Sequence, residues 1–453
     1  MRKPTQKGVI CLLFSLTFFG MMASVDANAA TRYDVTIDGP SPVSGSDTEP
    51  DYYGVQKLLN QINGISEEVI VYFPAGTYYL PQALRVYSNT HIILDDNATL
   101  VRIDDGVNKN IIHNVDANGA MDQTGGYEMS ENITIEGGIF DGGDVSGATK
   151  AADLVRIDHA KNVTIKNCTF QNVYDCHHLE LIGVKKAVVS GCTFKNFIYR
   201  RGEESNYMLA REALQLETAW TDDINDPSKA WAKGSVIDGT SCKSVKVTGC
   251  TFDNIPCCVG QHHFSEDGNY RNEDIEISNN TLTYKSSIKN GKTAITCCGM
   301  DRLKVFGNVI DGDYKFMMHV DEADDVLIQN NKLSNGYQNG IMVDGGTLIN
   351  IKNNTIKKFK KSGISVLGGS VGSGKNKKKG ITGNTISDCK LNGITISDSC
   401  KVSSISKNKI KKIKGNGISM SGKAKVVWVQ KNTIKNYGGR DIYNGLGSKV
   451  KIS

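Results

Sequence analysis

An asparagine recurs at regular intervals through the second half of this 453-residue chain. Each one stands between two short apolar segments, and an isoleucine follows it ten residues later. The repeated pairs are Asn331 and Ile341, Asn354 and Ile364, Asn384 and Ile394, Asn408 and Ile418, and Asn432 and Ile442. A period of about 23–30 residues, built from strand-length apolar segments without a helical stripe, is typical of a β-solenoid in which each repeat forms one coil.

The repeated position continues upstream with a change of residue type. It holds Asn308 and Asn280, and before them Cys250, Cys192 and Cys168. Stacked asparagine amides can hydrogen-bond to the coils above and below, and a cysteine is a small residue that tolerates the same burial. We therefore predict an all-β fold, a parallel β-helix with an asparagine and cysteine ladder.

The first 29 residues have the features of a secretory signal peptide. Arg2, Lys3 and Lys7 precede an apolar run, and Ala27-Asn28-Ala29 offers small residues for cleavage. The run is too short and wrongly flanked for a membrane span, and no other stretch approaches that length. We expect a secreted protein, extracellular or associated with the cell wall.

Eleven cysteines follow the signal peptide, an odd number for an exported chain. The ladder cysteines are interpreted as buried thiols. The pair Cys257-Cys258 could either stack on the pair Cys297-Cys298 or form disulfide bridges with it. No tight Cys/His framework for zinc is visible, so we expect no metal cofactor. The segment 222–226, Asp-Asp-Ile-Asn-Asp, leaves calcium binding open.

Charge is distributed unevenly along the chain. Residues 351–453 contain 23 Lys and Arg and three Asp, which gives this part a net charge of +20. The whole chain carries +5, so the rest of the chain carries −15. The basic part from about residue 351 is either a solvated surface or a surface for an anionic polymer, such as a cell-wall polyanion or an acidic polysaccharide. Nucleic acid is disfavoured as a partner, because aromatic platforms for stacking bases are lacking there.

Residues 30–115 differ from the repeats and predict an N-terminal cap with the first coils. Apolar spacing over 52–62 predicts a helix, and 69–80 reads as a strand broken by a Pro-Ala-Gly turn. This stretch resembles the pectin-lyase-like superfamily, in which a helix precedes a V-x-F-P-x-G-x-Y strand. The resemblance implies a right-handed parallel β-helix, here over 116–453. The coil that begins at Asn132 resembles the G-x-I-D-G coil of polygalacturonases, but the catalytic motifs of polygalacturonases, pectate lyases and alginate epimerases have no match.

One repeat is much longer than its neighbours. The interval from Cys192 to Cys250 is 58 residues, whereas adjacent intervals are 24 and 30. The excess falls at about 197–240 and contains Trp220 and Trp231. Because each coil closes without extra length, we interpret the insertion as the wall of a binding face.

Ionisable side chains concentrate on about four consecutive coils beside this insertion. In a strand, alternate side chains point inward and outward. Placing the leucines inward, and counting ten residues from each ladder residue, predicts an outward set: His178, Glu180, Gln215, Glu217, Gln261, His263, Met317 and His319. The ten-residue count by itself would place His178 inward. The alternation along its strand would place Glu212 inward, unless Glu212 precedes that strand.

A pair of carboxyls on neighbouring coils is the arrangement that glycoside hydrolysis requires. Glu217, Glu180, Glu212 and His263 are the predicted catalytic residues. The predicted substrate-binding residues are His178, Gln215, Gln261, His319, Trp220, Trp231 and Arg211. We expect a secreted glycoside hydrolase that acts on a poly- or oligosaccharide; the alternatives are a lyase or epimerase acting on uronic acids, with His263 and Arg211, and a non-catalytic surface adhesin.

Overall fold

The computed structural model describes residues 30–453 except 104–109, 116–123, 145–150, 200–210, 221–235, 262–269, 287–291, 374–378 and 447–449. The predicted signal peptide lies outside the described residues. Regular structure in the described ranges is β, apart from one helix at Tyr52–Ile62. That helix has 11 residues, and no described helix is both long enough and apolar enough to cross a bilayer.

The chain winds through three parallel sheets, and a typical coil contributes one strand to each of them in turn. We number the sheets in the order in which the chain enters them. The first sheet comprises Thr31–Asp34, Val69–Phe73, Thr90–Leu94, Ser130–Glu136, Ala160–Lys166, Lys185–Ser190, Lys243–Thr248, Asn272–Glu273, Glu276–Ser278, Met300–Asp301, Lys304–Phe306, Leu327–Gln329, Asn350–Lys352, Ser370–Val371, Ile381–Thr382, Lys401–Ser406, Lys425–Gln430 and Lys451–Ile452.

The second and third sheets contain 13 described strands each. The second sheet comprises Gly76–Leu80, Ala98–Arg102, Ile139–Asp141, Thr169–Tyr174, Thr193–Ile198, Thr251–Asp253, Thr281–Tyr284, Val309–Gly312, Lys332–Ser334, Thr355–Lys357, Thr385–Ser387, Lys409–Ile413 and Thr433–Tyr437. The third sheet comprises Leu84–Arg85, Ile112–His113, Val155–Asp158, Leu179–Ile182, Leu214–Glu217, Val259–Gln261, Thr293–Cys298, Phe316–Asp321, Asn339–Val343, Ile364–Val366, Ile394–Ile396, Ile418–Met420 and Ile442–Asn444.

The predicted ladder lies at the turn between the first and second sheets and is confirmed. Each asparagine amide donates to the side-chain oxygen of the next asparagine, at 3.0 Å from Asn280 through to Asn432. The same oxygen also accepts from the preceding asparagine's backbone N–H, and the amide donates a second time to a backbone carbonyl. At the upstream end Cys250 donates its backbone N–H to Asn280 at 2.8 Å, and the cysteines continue the column.

The core is built from columns of like residues. Ile341, Ile364, Ile394 and Ile418 pair in register on the third sheet and are fully buried, as the ten-residue spacing predicted. On the second sheet, four phenylalanine rings stack from coil to coil with centroids 4.6–5.2 Å apart; these are Phe140, Phe170, Phe194 and Phe252. Such stacking adds to the apolar burial that drives the coils together.

The predicted helix is confirmed at Tyr52–Ile62 and covers the first coils. Its apolar side chains Val55, Leu58, Leu59 and Ile62 are all buried. The two strands that flank the Pro-Ala-Gly turn, Val69–Phe73 and Gly76–Leu80, belong to the first and second sheets. The helix therefore closes the apolar interior at this end of the solenoid.

The eleven described cysteines are free thiols, and ten of them are buried. Cys257, Cys258, Cys297 and Cys298 are among the buried ten and are not bridged. The two pairs are not stacked either, because Cys297 lies in register with Gln261. Only Cys176 is of intermediate exposure.

The long repeat carries an ordinary strand of the third sheet within it. Leu214–Glu217 lies inside the interval 197–240 and pairs with the coils on either side. The extra length is therefore divided into two segments that flank this strand, 200–210 and 221–235, and both lie outside the described residues.

Removing one rung of the ladder tests the register. Asn384→Ala should lower the free energy of unfolding by about 1–3 kcal/mol, because polar groups of both neighbouring coils lose their partner in a buried place. Thr385→Ala, the adjacent outward residue, is the matched control and should change stability by less than about 0.5 kcal/mol. Ile394→Asp, which buries an unpaired charge, should cost more than either. Denaturant unfolding measures all three, and equal midpoints for Asn384→Ala and wild type would contradict the ladder.

Candidate functional site

Two outward columns of the third sheet carry polar side chains at five of their six positions over three consecutive coils. Pairing in register aligns Arg156 with Glu180 and Gln215, and it aligns Asp158 with Ile182 and Glu217. The inward columns of the same strands are leucine, valine and isoleucine, which fix this orientation. The predicted outward placement of Glu180, Gln215 and Glu217 is therefore correct.

Arg156 is the centre of this cluster. Its Nε donates to Oδ1 of Asp158 at 3.0 Å and its Nη2 donates to Oδ2 at 3.2 Å. Nε also lies 3.5 Å from Oε2 of Glu180. The exposed fractions of Arg156, Asp158 and Glu180 are 9%, 0% and 6%. Charged groups this deeply buried are retained only where they are paired and hydrogen-bonded.

The carboxyls around Arg156 differ in their protonation. Burial by itself raises the pKa of Asp158, but Arg156 and His113 outweigh it and hold that pKa well below its usual range. Burial, reinforced by nearby Asp153, raises the pKa of Glu180 well above its usual range. Despite its own burial, Asp153 has a lowered pKa because His177 and Arg156 stabilise its charge. Glu180 therefore holds a proton beside ionised carboxylates.

Glu217 lies on the neighbouring coil, diagonally across from Glu180. The amide of Gln215 donates to Oε2 of Glu217, and both side chains are 2% exposed. With strands about 4.8 Å apart and a two-residue step of about 6.8 Å, the Cα atoms of Glu180 and Glu217 are about 8 Å apart. The two carboxyls thus come from adjacent coils and face the same side of the third sheet.

A second polar group lies where the chain enters these strands. The Sγ of Cys176 donates to Oδ1 of Asp153 at 2.8 Å, and the backbone N–H of His177 donates to the same oxygen at 3.1 Å. Nδ1 of His177 lies 2.6 Å from the backbone carbonyl oxygen of Glu212. Asp153, Cys176 and His177 each place a potential metal ligand within 4.8 Å of the other two. The side chain of Glu212 is fully buried and precedes the strand proper.

His178 does not face the outward surface with Glu180. It is fully buried, its Nε2 lies 3.0 Å from the carbonyl oxygen of Lys195, and its ring packs edge-on against Phe194 with centroids 6.0 Å apart. Burial lowers the pKa of His178 to about 4. The predicted outward position was wrong, because the residue belongs to the turn before Leu179–Ile182 and turns inward there.

Gln261 is also misplaced by the sequence count. It pairs in register with Cys297, in the column that continues to Val320, and it is 1% exposed. The inward residue of this strand is Val259, nine residues after the ladder residue Cys250 and not ten. One residue fewer in the turn moves Gln261 from the outward face to the inward face, where its side-chain oxygen accepts from the amide of Asn272.

His319 and Met317 belong to a coil farther along the helix. His319 is outward, as predicted, and its Nε2 lies 2.7 Å from Oδ2 of Asp344. Three coils, or about 14 Å, separate it from Glu217, so it is not part of the same cluster. Met317 was expected outward and is instead fully buried in the core, because it lies at the beginning of its strand.

The remaining predicted residues lie at the margin of the cluster or beyond it. Arg211 is half-buried and its Nε donates to the carbonyl oxygen of Asp175 at 3.3 Å. Trp220 follows Glu217 by three residues, and its ring lies 6.0 Å from that of Tyr270. His263, Trp231 and the candidate calcium segment 222–226 lie outside the described residues.

The sequence count missed the coil that contributes Asp153, Arg156 and Asp158. A usable signal was present, since Val155 and Ile157 alternate with Arg156 and Asp158 in the same inward and outward pattern as the following strands. The contact between Asp153 and Cys176, by contrast, joins residues 23 positions apart on neighbouring coils. Only the turn geometry between two sheets brings these two together.

Comparison with known proteins connects part of the chain to a family and most of it to a fold. Residues 237–445 match the family model described as "Periplasmic copper-binding protein (NosD)". The "Plasmin and fibronectin-binding protein A" of Streptococcus pneumoniae is 30% identical over 164 residues, which cover 32% of this chain and 22% of that protein. The chain thus matches about a fifth of that relative's length. The described residues of 237–445 contain no group of three His, Cys, Asp or Glu ligands, so we derive no copper chemistry from that match.

Two solved structures match over nearly the whole chain. The surface adhesin PfbA of Streptococcus pneumoniae has a TM-score of 0.59 and 18% identity, covering 91% of this chain and 93% of that one. The catalytic unit of a GH87 α-1,3-glucanase from Streptomyces thermodiastaticus has a TM-score of 0.53 and 11% identity. The match covers 93% of this chain and 70% of that one. At these identities the likeness concerns the fold. The chain has a right-handed parallel β-helix fold.

Proposed function

We propose that this protein is an exported glycoside hydrolase whose catalytic pair is Glu180 and Glu217. The observation that carries the proposal is the presence of these two carboxyls on adjacent coils, on one face of the third sheet, beside Arg156 and Gln215. Two carboxyls flanking the scissile bond are the requirement of most glycoside hydrolases. The predicted export signal and the carbohydrate-active GH87 neighbour are consistent with this role.

Each carboxyl has its own role in the proposed reaction. The amide of Gln215 donates to Oε2 of Glu217 and orients this carboxyl, to which we give the role of attacking the anomeric carbon or activating water. Glu180 then donates its proton to the departing glycosidic oxygen. Water completes the hydrolysis and returns a proton to Glu180. Trp220 offers a flat face for a sugar ring at the edge of the site. Because Glu180 and Glu217 are 6% and 2% exposed, a sugar chain reaches them only after the surrounding chain moves aside.

A glycan-panel digestion with product masses tests the activity. A product heavier by one water indicates hydrolysis, and an unsaturated product indicates the lyase alternative on uronic acids. Glu217→Gln and Glu180→Gln should each lower turnover at least about a hundredfold, the lower end of what a positioned acid or base contributes, with unfolding midpoints unchanged. Glu212→Gln tests whether a carboxyl next to the catalytic pair is also needed. We expect it to lower turnover much less than the other two substitutions do.

Glu276→Gln is the matched surface control, since Glu276 lies on the first sheet and pairs with Lys246 at 3.1 Å. Near-normal turnover in both Glu217→Gln and Glu180→Gln, on a substrate that the wild type cleaves, would overturn the assignment. Absence of product from every glycan would favour the binding function considered next.

A surface adhesin is the second candidate, and the local identity to the plasmin and fibronectin-binding protein favours it. Surface plasmon resonance with immobilised plasmin and fibronectin measures this directly. Saturable binding without any glycan product would establish the adhesin in place of the hydrolase. Absence of binding to both proteins would remove it.

A basic surface in the last coils supports attachment to an anionic polymer in either case. On the outward face of the second sheet, Lys357, Lys411 and Lys435 occupy one column, interrupted by Ser387. The three lysines are exposed and form no ion pair with another described residue. Positive charges about 5–10 Å apart along the helix axis suit a polymer with repeated negative charges.

Salt and charge reversal test this attachment. Binding to isolated cell walls should weaken at least about tenfold as ionic strength rises from 0.01 M to 0.15 M, because the screening length falls from about 30 Å to about 8 Å. Lys357→Glu with Lys411→Glu should weaken it further while leaving turnover intact. Lys186→Glu with Lys195→Glu makes the same charge change in the N-terminal half and serves as the control. Salt-independent binding would contradict the proposal.

A further inference from the structure

We propose that Asp153, Cys176 and His177 form a binding site for a divalent metal ion, and that Zn²⁺ is the ion that suits it best. One ligand atom from each residue lies within 4.8 Å of the other two. This is the one such group of three among the residues that the structure describes. The inference goes beyond the proposed hydrolase, because none of the three residues belongs to the carboxyl pair.

The backbone brings the three ligands together at the entrance to two adjacent strands. Asp153 precedes Val155–Asp158, and Cys176 and His177 precede Leu179–Ile182, which pairs with it in register. The backbone N–H of His177 holds the Asp153 carboxylate at 3.1 Å. Register between the coils therefore positions the site before any ion arrives, which reduces the cost of assembling it.

The thiol hydrogen bond marks the place that a cation would take. Sγ of Cys176 lies 2.8 Å from Oδ1 of Asp153, with the thiol proton between the two atoms. A metal ion would replace this proton: the thiolate and the carboxylate bind the ion, and one proton is released to solvent.

His177 is oriented as metal-binding histidines usually are. Its Nδ1 lies 2.6 Å from the carbonyl oxygen of Glu212, and a carbonyl oxygen only accepts, so Nδ1 carries the proton. A metal ion would therefore bind through Nε2 of the neutral ring. Hydrogen bonding of the second nitrogen to a backbone carbonyl fixes ring orientation at many metal sites.

The donor set selects the kind of ion. One sulfur, one nitrogen and one oxygen ligand suit a borderline ion such as Zn²⁺, whereas Ca²⁺ and Mg²⁺ prefer six or more oxygen ligands. Three protein ligands leave one tetrahedral position for water or a substrate group. Asp153 and His177 are 6% and 7% exposed, and Cys176 is of intermediate exposure, which gives an ion a path to the site.

Titration of the reduced, chelator-treated mature chain with Co²⁺ tests the site, since Co²⁺ reports thiolate coordination through a charge-transfer absorption band. We expect one equivalent of Co²⁺ to produce the band, one equivalent of Zn²⁺ to remove it, and elemental analysis to find one zinc per chain. Cys176→Ser and His177→Gln should each weaken Zn²⁺ binding at least about a hundredfold, the upper end of what outer-shell changes cost.

Cys389→Ser is the matched control, since Cys389 is a buried free thiol outside any described ligand group. It should retain both the band and the affinity. Asp153→Asn keeps the shape of the ligand and should weaken binding while circular dichroism stays that of the wild type. Absence of the band in the wild type, or an undiminished band in Cys176→Ser, would overturn the proposal. Neither readout depends on glycan cleavage, so the metal site and the hydrolase can fail separately.

Discussion

Hydrogen bonding between successive coils is the constraint on which the rest of this molecule depends. Parallel pairing of every coil with the next places equivalent residues in columns about 4.8 Å apart, and the asparagine ladder repeats that pairing with side chains. Each Asn side chain hydrogen-bonds to the coil before it and to the coil after it, so one rung fixes the register of three coils. A side chain's surroundings are therefore decided by its column more than by its neighbours in sequence.

This constraint explains why the charged cluster is confined to three coils. Column neighbours at strand spacing repel when they carry like charge, and Asp153, Asp158, Glu180 and Glu217 occupy three successive coils. Arg156 compensates the charge of Asp158 directly, and the raised pKa of Glu180 removes a negative charge from the group. A buried ionic cluster contributes little to stability compared with an apolar core of equal volume. Its presence on a face that in the later coils carries small residues, such as Ser365, Thr395 and Ser419, points to function.

The sequence predicted the features that repeat and missed those that depend on turn length. The ladder, the isoleucine column and the capping helix follow from periodicity alone, because each is reinforced in several coils. Gln261 was misplaced because the turn before its strand is one residue shorter than the count assumes, and a one-residue change exchanges the two faces. His178 was misplaced because it lies in the turn itself, before the alternation of the strand begins. Asp153 and Cys176 lie just before two strands that pair in register, so their contact follows only once that register is known.

The solenoid also separates the two charged regions in space. Seven coils lie between the strand that carries Glu217 and the coil that carries Lys411, a distance of about 34 Å along the axis. The screening length at physiological ionic strength is about 8 Å, so the basic coils exert little electrostatic effect on the carboxyl cluster. Because each coil contacts only its neighbours, a substitution in one region leaves the packing of the other unchanged. An anionic polymer held by the lysine column would therefore position the carboxyl cluster at a fixed distance without altering its chemistry, and the two surfaces can be separated by mutation in the intact chain.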